Sequence, residues 1–156
     1  MRIRSLGVLG VLCLAAFTCG AQDASGPPRQ HAGILKTVRG DVQLIGAPGG
    51  ARPARPGDSV TAADRLATGA DSGASIVMRD GTTLVVGPAS QLDLKQFQFD
   101  ATTQDGNMLV SLVRGSLRMI TGLIGKMHPE AVRVETQTAT IGIRGTDFIV
   151  QTAGQP

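Results

Sequence analysis

Short apolar stretches alternate with turn-forming residues through most of this chain, and this pattern limits the fold more than any other feature. Residues 75–79 and 82–86, for example, are strand-like runs on either side of Asp80-Gly81. No segment beyond the N-terminal region keeps a helical period over ten or more residues. We therefore predict an all-β fold, either an antiparallel β-sandwich or a β-solenoid-like stack of short strands.

Two Gly-containing dipeptides predict hairpins within this fold. Asp80-Gly81 is typical of a type I′ turn, which needs positive φ at both residues. Arg114-Gly115 lies between two further apolar runs and predicts a second hairpin. The segment that follows, residues 121–129, is expected to be a loop or one short helical turn.

The C-terminal strands must change the face that they bury. Apolar side chains occupy even positions at Val132 and Val134, odd positions at Ile141 and Ile143, and even positions again at Phe148 and Val150. A strand cannot keep both sets on one face without extra residues. We expect corners near residues 139–140 and 145–146, where Gly145 tolerates the backbone angles involved.

The first 21 residues have the features of a secretory signal peptide. Arg2 and Arg4 form a positively charged start, and residues 6–17 are apolar. This run is shorter than the roughly 20 apolar residues that span a bilayer. We therefore predict an exported, periplasmic protein cleaved near Ala21, with no transmembrane span in the mature chain.

Cleavage near Ala21 would limit the chemistry of the mature protein. It removes Cys13 and Cys19, so no disulfide, thiol nucleophile or thiolate zinc ligand remains. Lipidation of Cys19 is the less favoured alternative, because Phe and Thr precede it where small residues are usual. The mature chain is then expected to comprise a flexible leader, residues 22–32, and one β domain, residues 33–152.

Composition argues against nucleic acid as a partner. Without the signal segment, 13 of the 15 basic residues face 12 acidic ones, which gives no concentrated basic surface. The 156 residues include no Trp, no Tyr and only four Phe. The chain therefore lacks stacking platforms for bases, and its core must be aliphatic.

In their order along the chain, several motifs resemble the FecR-type periplasmic domain, named for the ferric citrate regulator family. The stretch runs from residue 33 to residue 150 and includes VRGD at 38–41, LVRGS at 112–116 and IRGTDF at 143–148. The residues at the centre of these motifs, to which we assign structural roles, are Gly57, Asp58, Thr68, Gly69, Asp80, Gly81, Gly115, Arg144, Gly145, Thr146 and Phe148.

The resemblance implies an all-β periplasmic domain that works through protein contacts. In the regulators, this domain relays a signal from an outer-membrane transporter to a cytoplasmic sigma factor. Our chain is more similar to the standalone exported members, because a cleavable signal stands in place of a helical cytoplasmic head. It stops six residues after Val150, where relatives often add strands. Three alternatives follow for the edge of the sheet at that point. Another part of the protein covers it, the chain is a shortened form that leaves it exposed, or a partner completes the sheet.

Catalytic patterns are missing from the sequence. No Ser lies in a G-x-S-x-G elbow, His31 falls in the leader, and His128 falls in a loop. Residues 122–126 lack the spacing of a phosphate loop, and we interpret them as a hairpin connection. Acidic residues concentrate in turns, where they bond the local backbone. We therefore expect no enzymatic activity, no metal and no cofactor.

Three functional hypotheses remain. The leading one is a periplasmic protein-interaction or signalling module of the cell envelope, in which Arg144 could present its charge to a protein partner. The alternative is a structural module associated with the cell wall or carbohydrate, which the scarcity of aromatic side chains argues against. A hydrolase or metalloenzyme is the least favoured.

Overall fold

The structure, a computed structural model, describes residues 30–46 and 49–153 and confirms the all-β prediction. Besides the strands it contains one short helix, α1 (Leu123–Met127), and a 3-10 turn (Pro129–Ala131). The strands are β1 (His31–Arg39), β2 (Val42–Gly46), β3 (Gly50–Pro53), β4 (Ser59–Thr61), β5 (Arg65–Thr68), β6 (Gly73–Met78), β7 (Thr83–Val86), β8 (Gln91–Phe99), β9 (Gly106–Ile120), β10 (Val132–Glu135), β11 (Thr140–Gly142) and β12 (Asp147–Thr152).

The structure reaches only part of the predicted N-terminal organisation. The predicted signal peptide and most of the predicted leader lie outside the described residues. The leader ends earlier than we predicted, because β1 begins at His31 and Ala32 is buried. Within the described residues, no helix has the length and apolar character that crossing a bilayer requires.

The strands form one curled sheet whose two halves share a single hydrophobic core. The first half-sheet has the order β4-β1-β6-β7-β9-β12, and the second has the order β3-β2-β5-β8-β9-β10-β11. Neighbouring strands are antiparallel except for β9 and β10, which are parallel. Two facing layers around one core are closer to a sandwich than to a solenoid.

Strand β9 belongs to both halves, and the hairpin predicted at Arg114-Gly115 is therefore wrong. Residues before this point pair with β8, and residues after it pair with β7 and β12. Gly115 adopts φ +89°, which bends the strand without reversing it. Two apolar runs around a glycine look the same in sequence whether the chain turns back or only changes sheets.

The hairpin at Asp80-Gly81 is confirmed, but its predicted turn type is wrong. Strands β6 and β7 pair with Val77 opposite Thr83. Only Gly81 has positive φ, at +83°. The Gly81 N–H donates to the Met78 carbonyl, and the Met78 N–H donates to the Thr82 carbonyl. This is a three-residue turn ending in a bulge, which needs one left-handed residue instead of two.

The core is aliphatic, as the composition predicts. Leu112, Leu117 and Met119 of β9 are fully buried, and their neighbours are other Leu, Val, Ile and Met side chains. Strand β8 buries Leu94 but then Phe97, because a bulge between Leu94 and Gln96 changes its buried face. We did not predict that change of phase.

The C-terminal part of the chain passes from the second half-sheet to the first. Strands β10 and β11 form a hairpin, and the chain then crosses to β12 with Gly145 at φ +137°. The corner expected near residues 145–146 is confirmed, whereas near residues 139–140 the chain reverses in the hairpin between β10 and β11 instead of bending. The short helix predicted for residues 121–129 is confirmed as α1, but residues 122–126 are no hairpin connection, since they join two parallel strands.

Candidate functional site

The motif residues gather at four places. Thr68 and Gly115 contact Ser90, and the Gly69 carbonyl accepts from the neighbouring Ala89 N–H; we call these residues together with Ser116 the Ser90 cluster. Asp80, Gly81, Gly145 and Thr146 surround Thr82, Thr121 and Gly122, which together form the Thr82 cluster. Separately, Gly57 and Asp58 form a turn on β1, and Arg144 and Phe148 line a cleft between β11 and β12.

The Ser90 cluster ties the two half-sheets together where β9 bends. Thr68 Oγ1 donates to the Gly87 carbonyl at 2.7 Å and accepts from the Ser90 N–H at 2.9 Å. Ser90 Oγ accepts from the Ser116 N–H at 2.9 Å and donates to the Pro88 carbonyl at 2.9 Å. Both hydroxyls therefore bond the backbone of strand ends and turns, which would be unpaired there without them.

The Thr82 cluster joins the β6–β7 hairpin to the end of β9. Thr82 Oγ1 donates to Asp80 Oδ2 at 2.6 Å and accepts from the Gly122 N–H at 2.9 Å. Asp80 and Thr82 are buried, with exposed fractions of 2% and 1%. The adjacent Thr121 N–H donates to the Thr146 carbonyl at 2.9 Å, which brings in the start of β12.

The Gly57-Asp58 turn docks on β1 through the backbone of Leu35. The Gly57 N–H donates to the Leu35 carbonyl at 2.7 Å, and the Leu35 N–H donates to the Asp58 carbonyl at 2.9 Å. Asp58 Oδ2 accepts from the Arg55 N–H at 2.9 Å and from Arg52 Nη1 at 2.6 Å. The Arg55 N–H, followed by Arg52, lowers the pKa of the Asp58 carboxyl below its ordinary value.

This lowered pKa predicts a pH dependence of stability. A carboxyl with a lowered folded-state pKa stabilises the fold above its unfolded pKa, about 3.9, and loses that effect as the pH falls through the folded value. The unfolding free energy of the native chain should therefore exceed that of Asp58→Asn at pH 6, and the difference should shrink below about pH 3.9. Urea unfolding at a series of pH values measures it. Asp71→Asn, an exposed loop change, is the control; a difference independent of pH would contradict the assignment.

Arg144 and Phe148 lie apart from both clusters. They line a cleft of about 420 Å³ between β11 and β12, whose floor includes the buried side chains of Ile143 and Val150. Phe148 is half-buried against the core, and Arg144 is exposed. Arg144 is therefore available to a partner, whereas Phe148 contributes to packing.

The hydroxyls of the Ser90 cluster bond backbone groups, which differs from activating a nucleophile. The hydrogen bonds of Ser90 Oγ and Thr68 Oγ1 in the described residues are all to main-chain atoms. Activation needs a base at such a hydroxyl. The two histidines make separate contacts: His31 of β1 pairs with Thr61 of β4, and His128 Nε2 lies 3.0 Å from Asp105 Oδ1. In the part of the chain that is described, no group of three His, Cys, Asp or Glu could hold a metal.

Sequence reasoning missed the hydroxyl residues at the centre of each cluster. Ser90 and Thr82 make the contacts that join separate motifs, yet neither is part of a recognisable pattern by itself. A weak signal existed for Thr82, since Asp80 two residues earlier is typical of a side chain that bonds a turn. Ser90 gave none, because its partner Ser116 is 26 residues away.

The outer faces of the two half-sheets differ in chemistry. On the first half-sheet, Ile34 lies opposite Val77, and the next row places Val85 beside Arg118 and Arg118 beside Ile149. Ile34 is 53% exposed and Ile149 is 65% exposed. We call this surface the apolar face; it consists of Ile34, Thr37, Ser75, Val77, Thr83, Val85, Arg118, Ile120, Asp147, Ile149 and Gln151.

The outer face of the second half-sheet is charged. Arg65 makes a bidentate ion pair with Asp93, at 2.6 and 2.7 Å, and Lys95 contacts Glu135 at 3.2 Å. On the apolar face, Arg118 and Asp147 form an ion pair, and the exposed Arg39 extends the outer row of β1, opposite Gly73. A solvated sheet face normally carries polar residues throughout, so the apolar face is the surface with a capacity for binding.

A comparison with protein-family models agrees with the motifs. The family model described as "FecR protein" matches residues 64–156, more than half of the chain, and this region contains the motif residues from Thr68 to Phe148. A solved structure described as "Cell surface anchoring domain" is 26% identical, covering 40% of this chain and 82% of that chain, with a TM-score of 0.38. No curated protein matches. On the extent of the family match, the chain belongs to the FecR family.

Proposed function

We propose that this protein is an exported, non-enzymatic interaction module that binds another protein of the bacterial envelope, in a signalling role. Two facts support this function. FecR is a regulatory family whose domains are associated with the envelope. The chain also carries an apolar face on one half-sheet, and this is the observation on which the proposal depends.

The apolar face has the properties of a protein-binding surface. Scattered exposed apolar residues are normal, but adjoining rows of them mark sites of association. Here Ile34, Val77 and Ile120 belong to one row across β1, β6, β7 and β9, and Val85 and Ile149 belong to the next row. Small Thr and Ser side chains lie between them. A surface with few charges loses little solvation when a protein covers it.

The apolar face is less suited to binding a sugar polymer. Carbohydrate sites usually stack the sugar on aromatic rings, and the described part of the apolar face presents aliphatic side chains instead. The structural or cell-wall role is therefore the weaker candidate. Sedimentation of the protein with isolated cell-wall sacculi distinguishes the two, because a protein-binding module should stay in the supernatant.

Site-specific photo-crosslinking in cells tests the proposed function. A photoreactive amino acid at Val85, the centre of the apolar face, should give a discrete adduct with another envelope protein. The same group at Gln96, which is exposed on the outer face of the second half-sheet, is the matched control and should give none. Absence of any adduct from Val85 and from Ile34, with the protein folded and exported, would overturn the proposal. Equal adducts from Val85 and Gln96 would do the same.

A further inference from the structure

Within the described residues, one edge of β12 is free and presents unpaired backbone groups in a regular row. Among the strands in the described residues, β9 is the one that pairs with β12. The Thr121 N–H donates to the Thr146 carbonyl, so the main-chain groups of even-numbered residues point toward β9. The N–H and C=O groups of Asp147, Ile149 and Gln151 consequently point outward.

This edge lacks the features that usually prevent strands from pairing. Its register with β9 has no shift from Asp147 to Thr152, so no bulge turns it away. It contains no Pro and no Lys, and its one charged residue, Asp147, is already paired with Arg118. Ile149, at the centre of the edge strand, is 65% exposed.

The other edge strands of the described chain are protected. Strand β3 carries Arg52 and ends at Pro53, which has no N–H to offer. Strands β4 and β11 are three residues long. Short strands, charges and prolines are the ways in which edges avoid pairing. The contrast singles out β12 as the edge that can accept another strand.

We propose that a second copy of this chain pairs with β12 in an antiparallel manner, about a two-fold axis at Ile149. Ile149 then lies opposite Ile149 of the second copy, and Asp147 lies opposite Gln151 of the second copy. This register pairs all three outward-facing residues and forms six main-chain hydrogen bonds, two for each facing pair.

We choose a second copy as the partner of the β12 edge because this edge is self-complementary. A two-fold interface brings the same surface from both copies together, so it must tolerate its own charges. In the proposed register, Asp147 faces an uncharged amide and Ile149 faces another apolar side chain. Shifting the axis to Asp147 would set two like charges opposite each other, which destabilises a strand pair. The symmetric register therefore has no conflict.

Joining two β12 strands also has a structural consequence. Each first half-sheet has six strands, so pairing gives a continuous sheet in which the two apolar faces adjoin.

One strand per copy buries less area than the roughly 1,600 Å² of a standard interface. The expected species is a dimer in reversible, concentration-dependent equilibrium with the monomer. This inference stands independently of the proposed envelope partner.

Opposite charge changes at Gln151 test the register. Gln151→Lys places a cation opposite Asp147 of the second copy, twice per dimer, whereas Gln151→Glu places like charges there. We expect the dimer dissociation constant to fall about fivefold for Lys and to rise about fivefold for Glu, from two cross-strand pairs in each case. Analytical ultracentrifugation of the purified chain measures it. A change in the same direction for both variants, or none, would overturn the register.

Cysteine crosslinking tests the position of the axis. Across a two-fold pair, the Cα atoms of residue 149 would lie about 5.5 Å apart, within the separation that a disulfide spans. Ile149→Cys should therefore give a covalent dimer, and Val85→Cys, exposed on the same face but on an interior strand, should not. The unsubstituted chain gives the background level of crosslinking from Cys13 and Cys19. A monomer at all concentrations, or an Ile149→Cys adduct formed only with a different protein, would refute self-pairing.

Discussion

Replacing Gly115 with alanine is expected to lower the free energy of unfolding by about 4 kcal/mol. Two separate costs add at this position. At φ +89° an L side chain is strained, which costs about 1–3 kcal/mol. An added Cβ would also lie 2.6 Å from Ser90 Cα, and a backbone atom cannot move aside as a flexible side chain can. The bend shared by both half-sheets would then be displaced.

Gly57→Ala is the matched control for this prediction. Gly57 has nearly the same backbone conformation, with φ +92°, but nothing lies within 4 Å of the position of an added Cβ. The Gly57→Ala variant should therefore lose only the free energy of unfolding that comes from backbone strain, about 1 kcal/mol. Urea unfolding of both variants separates the two effects. Equal losses in the two variants would show that contact with Ser90 contributes nothing and that β9 can bend without it.

Replacing Thr82 with valine is expected to destabilise the fold by about 3 kcal/mol, although the two side chains have nearly the same shape. Valine removes the hydroxyl that donates to Asp80 Oδ2 and accepts from the Gly122 N–H. Asp80 is buried, so its carboxylate would lose a donor where water does not readily replace it. The cost follows from the groups left unpaired more than from the lost bonds themselves.

Two control variants make the Thr82 prediction specific. Thr82→Ser keeps the hydroxyl and loses one methyl group, so most of the stability should remain. Thr83→Val lies one residue further along, on the apolar face, and should change stability by less than about 0.5 kcal/mol. Chemical denaturation gives all three values. A Thr82→Val protein as stable as Thr82→Ser would show that the hydroxyl does not join the hairpin to β9.

Both predictions concern residues at the centres of the family motifs or in contact with them. Gly115 belongs to the Ser90 cluster, and Asp80 belongs to the Thr82 cluster. In each cluster, a small residue or a hydroxyl-bearing residue joins separate strands. The small residue lets the strands approach closely, and the hydroxyl bonds their backbone groups. We interpret these motif residues as structural. A change there would reach a partner-binding surface only through the sheet that carries it.

Sequence by itself determined the local features. The Asp80-Gly81 hairpin, the alternation that buries Val132 and Val134, and the aliphatic core could all be predicted. Each depends on a period of two residues, on the turn preference of glycine, or on the scarcity of aromatic residues. These properties act over a few residues, or over the composition as a whole, and need no knowledge of neighbouring strands.

Tertiary structure decided how those elements pair. The run around Gly115 was predicted as a hairpin but is a single bent strand, because Ser90 of a distant turn lies against it. The parallel pairing of β10 with β9, the apolar face and the open edge of β12 also depend on which strands become neighbours. Hydrogen bonds between strands use the same backbone groups in every residue, so a strand's sequence reveals its faces but seldom its partner.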